Sequence, residues 1–281
     1  HMTRRKKIID RSSAISLHSK GVSDIHVVSY GGEVFERNSD SRTLALAQSS
    51  IGYPIQNPGT ILLNPALSLS HNNMIGLTHQ SRMSGTSNSE FIGFDKYIND
   101  SSWVSVIMLY ENVSGIPDTR GALLDWGLDG IFGTFDVGEG NGSLDEGERL
   151  DVDKIRFFNQ NIFGLYGAHS KIFNNWRIGF GLKIMLHTID KEFGIGAGLD
   201  IGAFRNYNNT GIGLIVKNLP SSGLIWESGN IEISPPSLHF GLHQKFSVSK
   251  YELEINPMLR GSILSLDKSI DSELVLGKIP M

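Results

Sequence analysis

Apolar side chains alternate with polar or small ones over most of the chain after about residue 74. The segment 176–188 shows this pattern most clearly. Its even-numbered residues from Trp176 to Leu186 are apolar, and its odd-numbered residues from Arg177 to His187 are mostly small or polar. Side chains two positions apart lie on the same side of a β-strand. The pattern therefore predicts a strand with one fully apolar face and one small or polar face.

The same alternation recurs in the segments that follow, and strand-like but less regular segments precede it. The regular segments are 193–203, 211–217, 238–248 and 251–263; the less regular ones are 74–83, 89–98, 103–113 and 161–172. A further strand begins at 272. This arrangement predicts about ten strands joined mostly by short connections, without helical periodicity. We therefore expect an all-β, antiparallel fold.

Two architectures are compatible with this alternation. A soluble β-sandwich turns its apolar face to a buried core. A transmembrane barrel turns that face to lipid and uses strands of about 9–11 residues. Long segments and glycine-rich opposite faces favour an antiparallel transmembrane β-barrel, since soluble strands usually have ~5–6 residues. Aromatic residues near segment ends fit the girdles of such a barrel: Trp103, Tyr110, Trp176, Phe193, Phe246 and Tyr251.

Residues 1–60 differ from the rest, because they are polar, rich in serine and weakly patterned. Within them Ile25–Tyr30 is strand-like, and Ser41–Ser50 predicts a short helix capped by Asp40 or Ser41. Turn signals follow at Asn57-Pro58-Gly59 and Asn64-Pro65-Ala66.

This change of pattern suggests two domains. We expect an N-terminal polar segment at 1–60, either a plug or a periplasmic tail, and a β-barrel at 61–281 with a long acidic loop at 114–158. Because residues 41–67 contain several apolar side chains, we expect them to pack against or inside the barrel.

Composition narrows the class of protein. The 281 residues include 32 glycines and no cysteine, and the net charge is −4. These values exclude a disulfide scaffold and argue against a nucleic-acid binder, whose domains are usually basic. The longest uncharged and mostly apolar run, Trp103–Tyr110, is far shorter than the ~20 residues of a membrane-spanning helix. His1-Met2 is typical of a cloning remnant, so we expect that a signal peptide has been removed.

The acidic loop contains a pattern of oxygen-bearing side chains that suits calcium. If Gly142 is the sharp-turn glycine of a calcium loop, its ligand positions 3, 5, 9 and 12 are occupied by Glu139, Asn141, Asp145 and Glu148. Position 1 is then Val137, with an aspartate one residue earlier. The candidate ligands are Asp136, Glu139, Asn141, Asp145 and Glu148. The alternative is a solvated acidic loop that binds no ion.

Other chemical patterns favour structural roles. His239 and His243 would lie ~13 Å apart on one strand, too far to share an ion. Glu252 and Glu254 resemble paired catalytic carboxylates only in spacing, and we interpret them as surface charges of the barrel wall. The sequence has no nucleophile elbow, phosphate loop or zinc motif, so we expect a protein that is not an enzyme.

Several phrases resemble PorV/PorQ-type outer-membrane barrels, which typically open with ARALALGG followed by NPAGLA. The resemblance covers roughly residues 41–281. Gln48-Ser49 replaces the usual glycine pair, and Leu67 replaces the glycine expected after Asn-Pro-Ala. The phrases are Ser41-Arg-Thr-Leu-Ala-Leu-Ala, Asn64-Pro65-Ala66, Phe163-Gly-Leu-Tyr-Gly-Ala, Trp176-Arg-Ile-Gly-Phe-Gly-Leu-Lys, Gly196-Ala-Gly-Leu-Asp-Ile-Gly, and the stretch from Val216-Lys-Asn-Leu-Pro through Trp226-Glu-Ser-Gly to Gly241-Leu.

The resemblance implies a fold, a location and partners. The family is similar to the fourteen-stranded long-chain fatty-acid transporter barrels and includes a component of the type IX secretion system. It implies a Gram-negative outer-membrane protein that contacts lipid and binds secretion machinery or secreted cargo. We expect either a fragment or divergent member that lacks the last strands, or a barrel that closes differently. Alternatives are a transporter for a hydrophobic small molecule and a soluble β-sandwich binding module.

Overall fold

The computed structural model of the chain describes residues 27–28, 32–37, 39–68, 72–264, 275–276 and 279–280. Its helices are short: α1 (Val34–Arg37), α2 (Ser41–Ala45) and 3₁₀ turns at Ser50–Gly52, Pro58–Leu62, Pro65–Leu67, Met83–Gly85, Val152–Lys154 and Ser249–Tyr251. Across these ranges, no helix is long and apolar enough to cross a membrane.

Strands make up most of the described chain. They are β1 (Val27–Val28), β2 (Met74–Arg82), β3 (Ser87–Asn99), β4 (Ser102–Asp118), β5 (Leu123–Leu124), β6 (Arg149–Leu150), β7 (Arg156–Phe173), β8 (Trp176–Ile189), β9 (Glu192–Tyr207), β10 (Thr210–Trp226), β11 (Ile231–Ser234), β12 (Ser237–Gln244), β13 (Phe246–Val248), β14 (Leu253–Ile255), β15 (Met258–Leu264), β16 (Val275–Leu276) and β17 (Ile279–Pro280).

The long strands form one large sheet in chain order. Its order is β2-β3-β4-β7-β8-β9-β10-β12-β15-β16-β17, and neighbouring strands along this path are antiparallel. β11 pairs with β10, and β1 runs parallel to β11. β5 with β6, and β13 with β14, form separate ribbons. The prediction of an antiparallel all-β fold with a large sheet is confirmed.

The two ends of the sheet differ in their connections. Two-residue turns at 100–101, 174–175 and 208–209, together with the ribbon of β13 and β14, lie at one end, which we call the turn end. Asparagine suits such turns because it tolerates positive φ, as at Asn175 (φ 64°) and Asn208 (φ 52°). The opposite end, which we call the loop end, carries the 119–155 loop between β4 and β7 as well as a two-residue turn at 190–191.

The two faces of the sheet follow the alternation in the sequence. In β8, the side chains of Phe180, Leu182 and Ile184 are exposed, while Gly181 and Lys183 are buried. The neighbouring long strands continue both faces. The apolar face is therefore the exposed one, which we call the outer face, and the small and polar face is covered.

The inner face is covered by residues 32–37 and 39–68, which we call the N-terminal segment. Its turn at Ser50–Gly52 contacts β10, β12 and β15, and its turn at Pro58–Leu62 contacts β2, β3 and β4. In a flat sheet, β3 and β12 would lie about 29 Å apart at ~4.8 Å per strand. The five residues between the two turns reach at most about 21 Å. The sheet must therefore curve around the segment.

Polar caps shape the N-terminal segment locally. Asp40 caps α2 by accepting hydrogen bonds from the backbone N–H groups of Arg42 and Thr43, each at 3.0 Å. Asn57 and Asn64 cap the 3₁₀ turns that follow, each of which has proline at its first position. These caps confirm the predicted helix start and both predicted turns. The core lies between this segment and the inner face, and it includes Val34, Phe35, Ile61, Leu62, Ile107, Leu109 and Tyr166.

Three predictions need correction or completion. Trp103 is only 2% exposed and faces inward, so it does not belong to an outer aromatic girdle. The predicted strands 238–248 and 251–263 are interrupted, because the ribbon of β13 and β14 lies between β12 and β15. Pro257, which cannot donate a ladder hydrogen bond, lies just before β15, and Glu252 has a positive φ of 51° in the turn between β13 and β14. Glu252 and Glu254, which were predicted as charges of the barrel wall, therefore lie in this exposed ribbon.

Two predicted strands fall partly outside the described residues. Of Ile25–Tyr30 the structure describes only Val27–Val28, as β1. Of the strand beginning at 272 it describes only β16 and β17.

Candidate functional site

A network of buried charges joins the inner face to the N-terminal segment. Lys183 and Asp200, from adjacent strands, form an ion pair at 2.9 Å. Lys217 on β10 bonds both carboxylate oxygens of Glu36 at 2.9 and 3.0 Å. The lysines and Asp200 are almost fully buried, so each charge needs its partner. Glu36 therefore contributes to holding α1 against the wall.

Irregular pairing in β10 brings further hydrogen-bond partners to Asp200. The ladder between β9 and β10 shifts register between Val216 and Gly223. Within the shift, the backbone N–H of Asn218 donates to Asp200 at 3.0 Å, and the Asn218 side chain accepts from Lys183 at 2.9 Å. The Tyr166 hydroxyl also donates to Asp200, at 3.1 Å. The bulge therefore directs backbone and side-chain polar groups into the covered interior.

A second set of contacts fixes the segment to the last long strands. Arg260 on β15 donates to the backbone and side-chain oxygens of Gln48, at 3.3 and 3.1 Å.

His239 bonds Ser262 at 2.7 Å, while His243 bonds Asn256 at 3.0 Å. The two histidines thus have separate partners and do not converge on one point, as their spacing predicts.

The outer face presents the opposite chemistry. Aliphatic and aromatic side chains from β2 to β15 are exposed in a continuous band, with Leu77 72% and Phe180 57% exposed. A monomeric soluble protein rarely exposes an apolar patch larger than a few hundred Å². The exposed face of the sheet is therefore apolar, while the covered face combines buried ion pairs with an apolar core.

The acidic loop folds around its own carboxylates. Glu148 accepts hydrogen bonds from the backbone N–H groups of Gly127 and Asp145, both at 2.9 Å. Asn141 donates to Asp145 at 2.6 Å. Asp136 also approaches Gly127, and one of its oxygens is buried without a hydrogen-bond partner.

Four of the five predicted calcium ligands therefore lie together: Asp136, Asn141, Asp145 and Glu148. Glu139 instead bonds the backbone of Gly133 and Phe135. Gly142 has a positive φ of 75°, as the predicted sharp turn requires. Within the described part of the chain, no group of three or more acidic or histidine side chains is arranged to hold a metal ion.

Sequence reasoning missed Asp125 at the start of this loop. Its carboxylate accepts hydrogen bonds from the backbone N–H groups of Gly140, Asn141 and Gly142, at 2.7, 3.2 and 2.7 Å. These bonds, the one from Gly142 above all, lower the pKa of Asp125. An acidic side chain ahead of a glycine-rich run was visible in the sequence. Its bond to Gly142 was not predictable, because the two residues are 17 positions apart.

No protein-family model, curated protein or solved structure matches this chain.

Proposed function

We propose that the chain is a non-enzymatic outer-membrane β-barrel protein that serves as a scaffold in protein secretion or surface attachment. The single observation that carries the membrane part is the exposed apolar outer face of a sheet whose inner face buries ion pairs. Lipid would surround the apolar outer face, while the N-terminal segment covers the inner face and supplies partners for its polar groups.

Strand geometry supports this environment. The outward apolar positions of β8 run from Ile178 to Leu186. They span about 26 Å along the strand at ~3.3 Å per residue. With a strand tilt of 35–45°, the band is about 20 Å high, close to the ~25 Å apolar belt of outer-membrane barrels. Closure of the sheet between its edges is part of the proposal, because an exposed β2 edge in lipid would leave backbone groups unpaired.

The connections suggest an orientation. Outer-membrane barrels have short periplasmic turns and longer extracellular loops. The turn end would then face the periplasm, and the acidic loop would lie outside the cell. We propose that this loop is the surface offered to secretion machinery or secreted cargo, a role that rests on the resemblance to PorV/PorQ-type barrels.

Transport of a hydrophobic small molecule is the second candidate. It shares the lipid-facing wall and the resemblance to fatty-acid transporter barrels. The N-terminal segment fills much of the inner face, which favours a scaffold over an open path. A soluble sandwich is less well supported, because the described residues provide no second sheet to cover the outer apolar face.

Spin labels along β8 test the membrane environment. In lipid vesicles, labels at 180, 182 and 184 should be reached by a lipid-soluble quencher. Labels at 181 and 183 should not, provided that each labelled chain keeps the circular dichroism spectrum of the unmodified protein, because a Cβ at Gly181 would lie 2.0 Å from the Tyr166 hydroxyl and Lys183 is paired with Asp200. Substitution of Leu182 by Arg should cost ~2–4 kcal/mol if it lies near the bilayer midplane. Equal quenching at odd and even positions would contradict the proposed barrel wall.

Two further assays separate the roles. A scaffold should co-purify with secretion components from the native envelope, and loss of the chain should leave uptake of hydrophobic compounds unchanged. A transporter should show the reverse result. Migration in detergent gels that changes on heating would distinguish both membrane roles from a soluble module.

A further inference from the structure

A cavity of about 370 Å³ opens on the inner face at the turn end. Its lining includes a cross-strand row of Ile172, Arg177 and Phe204, which are direct partners on β7, β8 and β9. Pro54 of the N-terminal segment and Trp176 add further apolar surface. Among the described residues that line this cavity, none is acidic.

Arg177 is the one charged group in the described part of this lining. The residue is only 8% exposed, and its guanidinium lies over the Trp103 ring at 4.2 Å. One nitrogen donates to the backbone carbonyl of Ser68 at 2.7 Å, while Nε is buried without a hydrogen-bond partner. Among the described residues, no ion pair includes Arg177.

An unpaired buried cation is costly, because burial removes water that the fold has not replaced with an anion. Elsewhere on the inner face, Lys183 and Lys217 each have a carboxylate partner. Arg177 departs from that arrangement, and it does so where a cavity leaves room for another molecule.

We propose that this cavity binds a compact organic carboxylate, with Arg177 pairing the carboxylate and Phe204, Ile172 and Trp176 holding the apolar body. A guanidinium presents its N–H groups in a planar fork that matches a carboxylate. The amides of Asn175 and Asn206 supply further polar groups at the lining. The volume is at the lower end of small-molecule pockets, which favours a compact ligand over a long acyl chain.

This site belongs to the inner face, so it does not depend on what surrounds the outer face. Benzoate is a suitable probe, because benzamide has nearly the same shape and no charge. Calorimetric titration of both into the folded full-length chain, with detergent-only blanks, should give benzoate an affinity roughly ten- to a hundredfold higher. Benzoate binding should weaken as salt is raised.

Variants assign the charge. Arg177→Gln should weaken benzoate binding by roughly ten- to a hundredfold, and Arg177→Lys should weaken it less. Arg156→Gln, which removes the same charge at the loop end, should bind benzoate like the unmodified chain.

Equal binding of benzoate and benzamide, absence of benzoate binding to folded protein, or full binding by Arg177→Gln would each overturn the proposal. If Arg177→Gln does not fold, the benzoate and benzamide comparison in the unmodified chain still decides it.

Discussion

Gly179 on the inner face sets how closely the N-terminal segment approaches the sheet. A Cβ atom at this position would lie 2.3 Å from the backbone carbonyl carbon of Pro65 and 2.4 Å from the nitrogen of Ala66. These are main-chain atoms, so no side-chain rotation can relieve the contact. Close packing of two backbones, and not turn formation, explains this glycine.

Substitution of Gly179 by alanine should therefore push the segment away from β8. We expect a loss of about 1–3 kcal/mol in the free energy of unfolding. Gly167 on the neighbouring strand controls for the change from glycine to alanine itself, because it lies on the outer face and a Cβ there meets no atom within 4 Å. Gly167→Ala should change stability by less than about 0.5 kcal/mol in the same denaturant titration. Equal losses would show that the segment does not approach the sheet as described.

The ion pair of Glu36 and Lys217 makes the docked segment sensitive to acid. Burial opposes ionisation of Glu36, but Lys217 and Lys183 outweigh it and hold the pKa of Glu36 at about 2, below its ordinary value of 4.5. A carboxyl group with a lowered folded-state pKa stabilises the fold above its unfolded-state pKa. That contribution is lost as the pH falls from 4.5 towards 2.

Glu36→Gln tests this linkage. Above pH 5 the variant should be less stable by about 1–2 kcal/mol, less than a fully buried pair would give, since 38% of the Glu36 side chain is accessible. The difference between the two proteins should shrink as the pH approaches 2. Unfolding titrations at several pH values measure it, and a difference that stays constant with pH would rule the mechanism out.

At the level of elements, the acidic loop is the clearest candidate for ligand-induced order. Asp136, Asp145 and Glu148 carry like charges in one loop. The described structure does not arrange them to hold a metal ion, so calcium would have to draw them together, and it would relieve their repulsion. We expect calorimetry to detect calcium binding to the unmodified chain. The paired substitution Asp145→Ala and Glu148→Ala should abolish that heat, while Glu139→Ala should retain most of it because Glu139 faces another turn. Identical heats from all three proteins would leave a solvated acidic surface.

The strands were predictable because alternation continues over many residues in each of them. The positions at which strands break were harder to predict. The break between β14 and β15, just before Pro257, depends on how β12 and β15 pair. Pair partners were not predictable at all. Glu36 and Lys217 are 181 positions apart, and only the register of the sheet and the path of the segment bring them together. Trp103 faces inward because it shares the buried side of β4 with Ile107 and Leu109. Both sides of that strand carry apolar residues, so the alternation alone did not show which side is covered.

For the whole molecule, burial of the N-terminal segment can be compared with an exposed internal control. Ile51, Leu62 and Leu63 are almost fully buried, whereas Phe132 and Phe135 in the acidic loop are 76% and 91% exposed. Limited chymotrypsin digestion should therefore cut the loop well before residues 41–67. Cleavage of both regions at the same rate would mean that the segment is not held inside the sheet.

The span of the N-terminal segment across the sheet also has a consequence for the order of assembly. Gln48 is synthesised early, yet its partner Arg260 lies 212 positions later, so the docking surface is complete only when nearly all strands have paired. Until then the apolar side chains near the start of the chain need shielding from aggregation, for example by a chaperone. A defect introduced in β15 should consequently first release residues near the beginning of the chain.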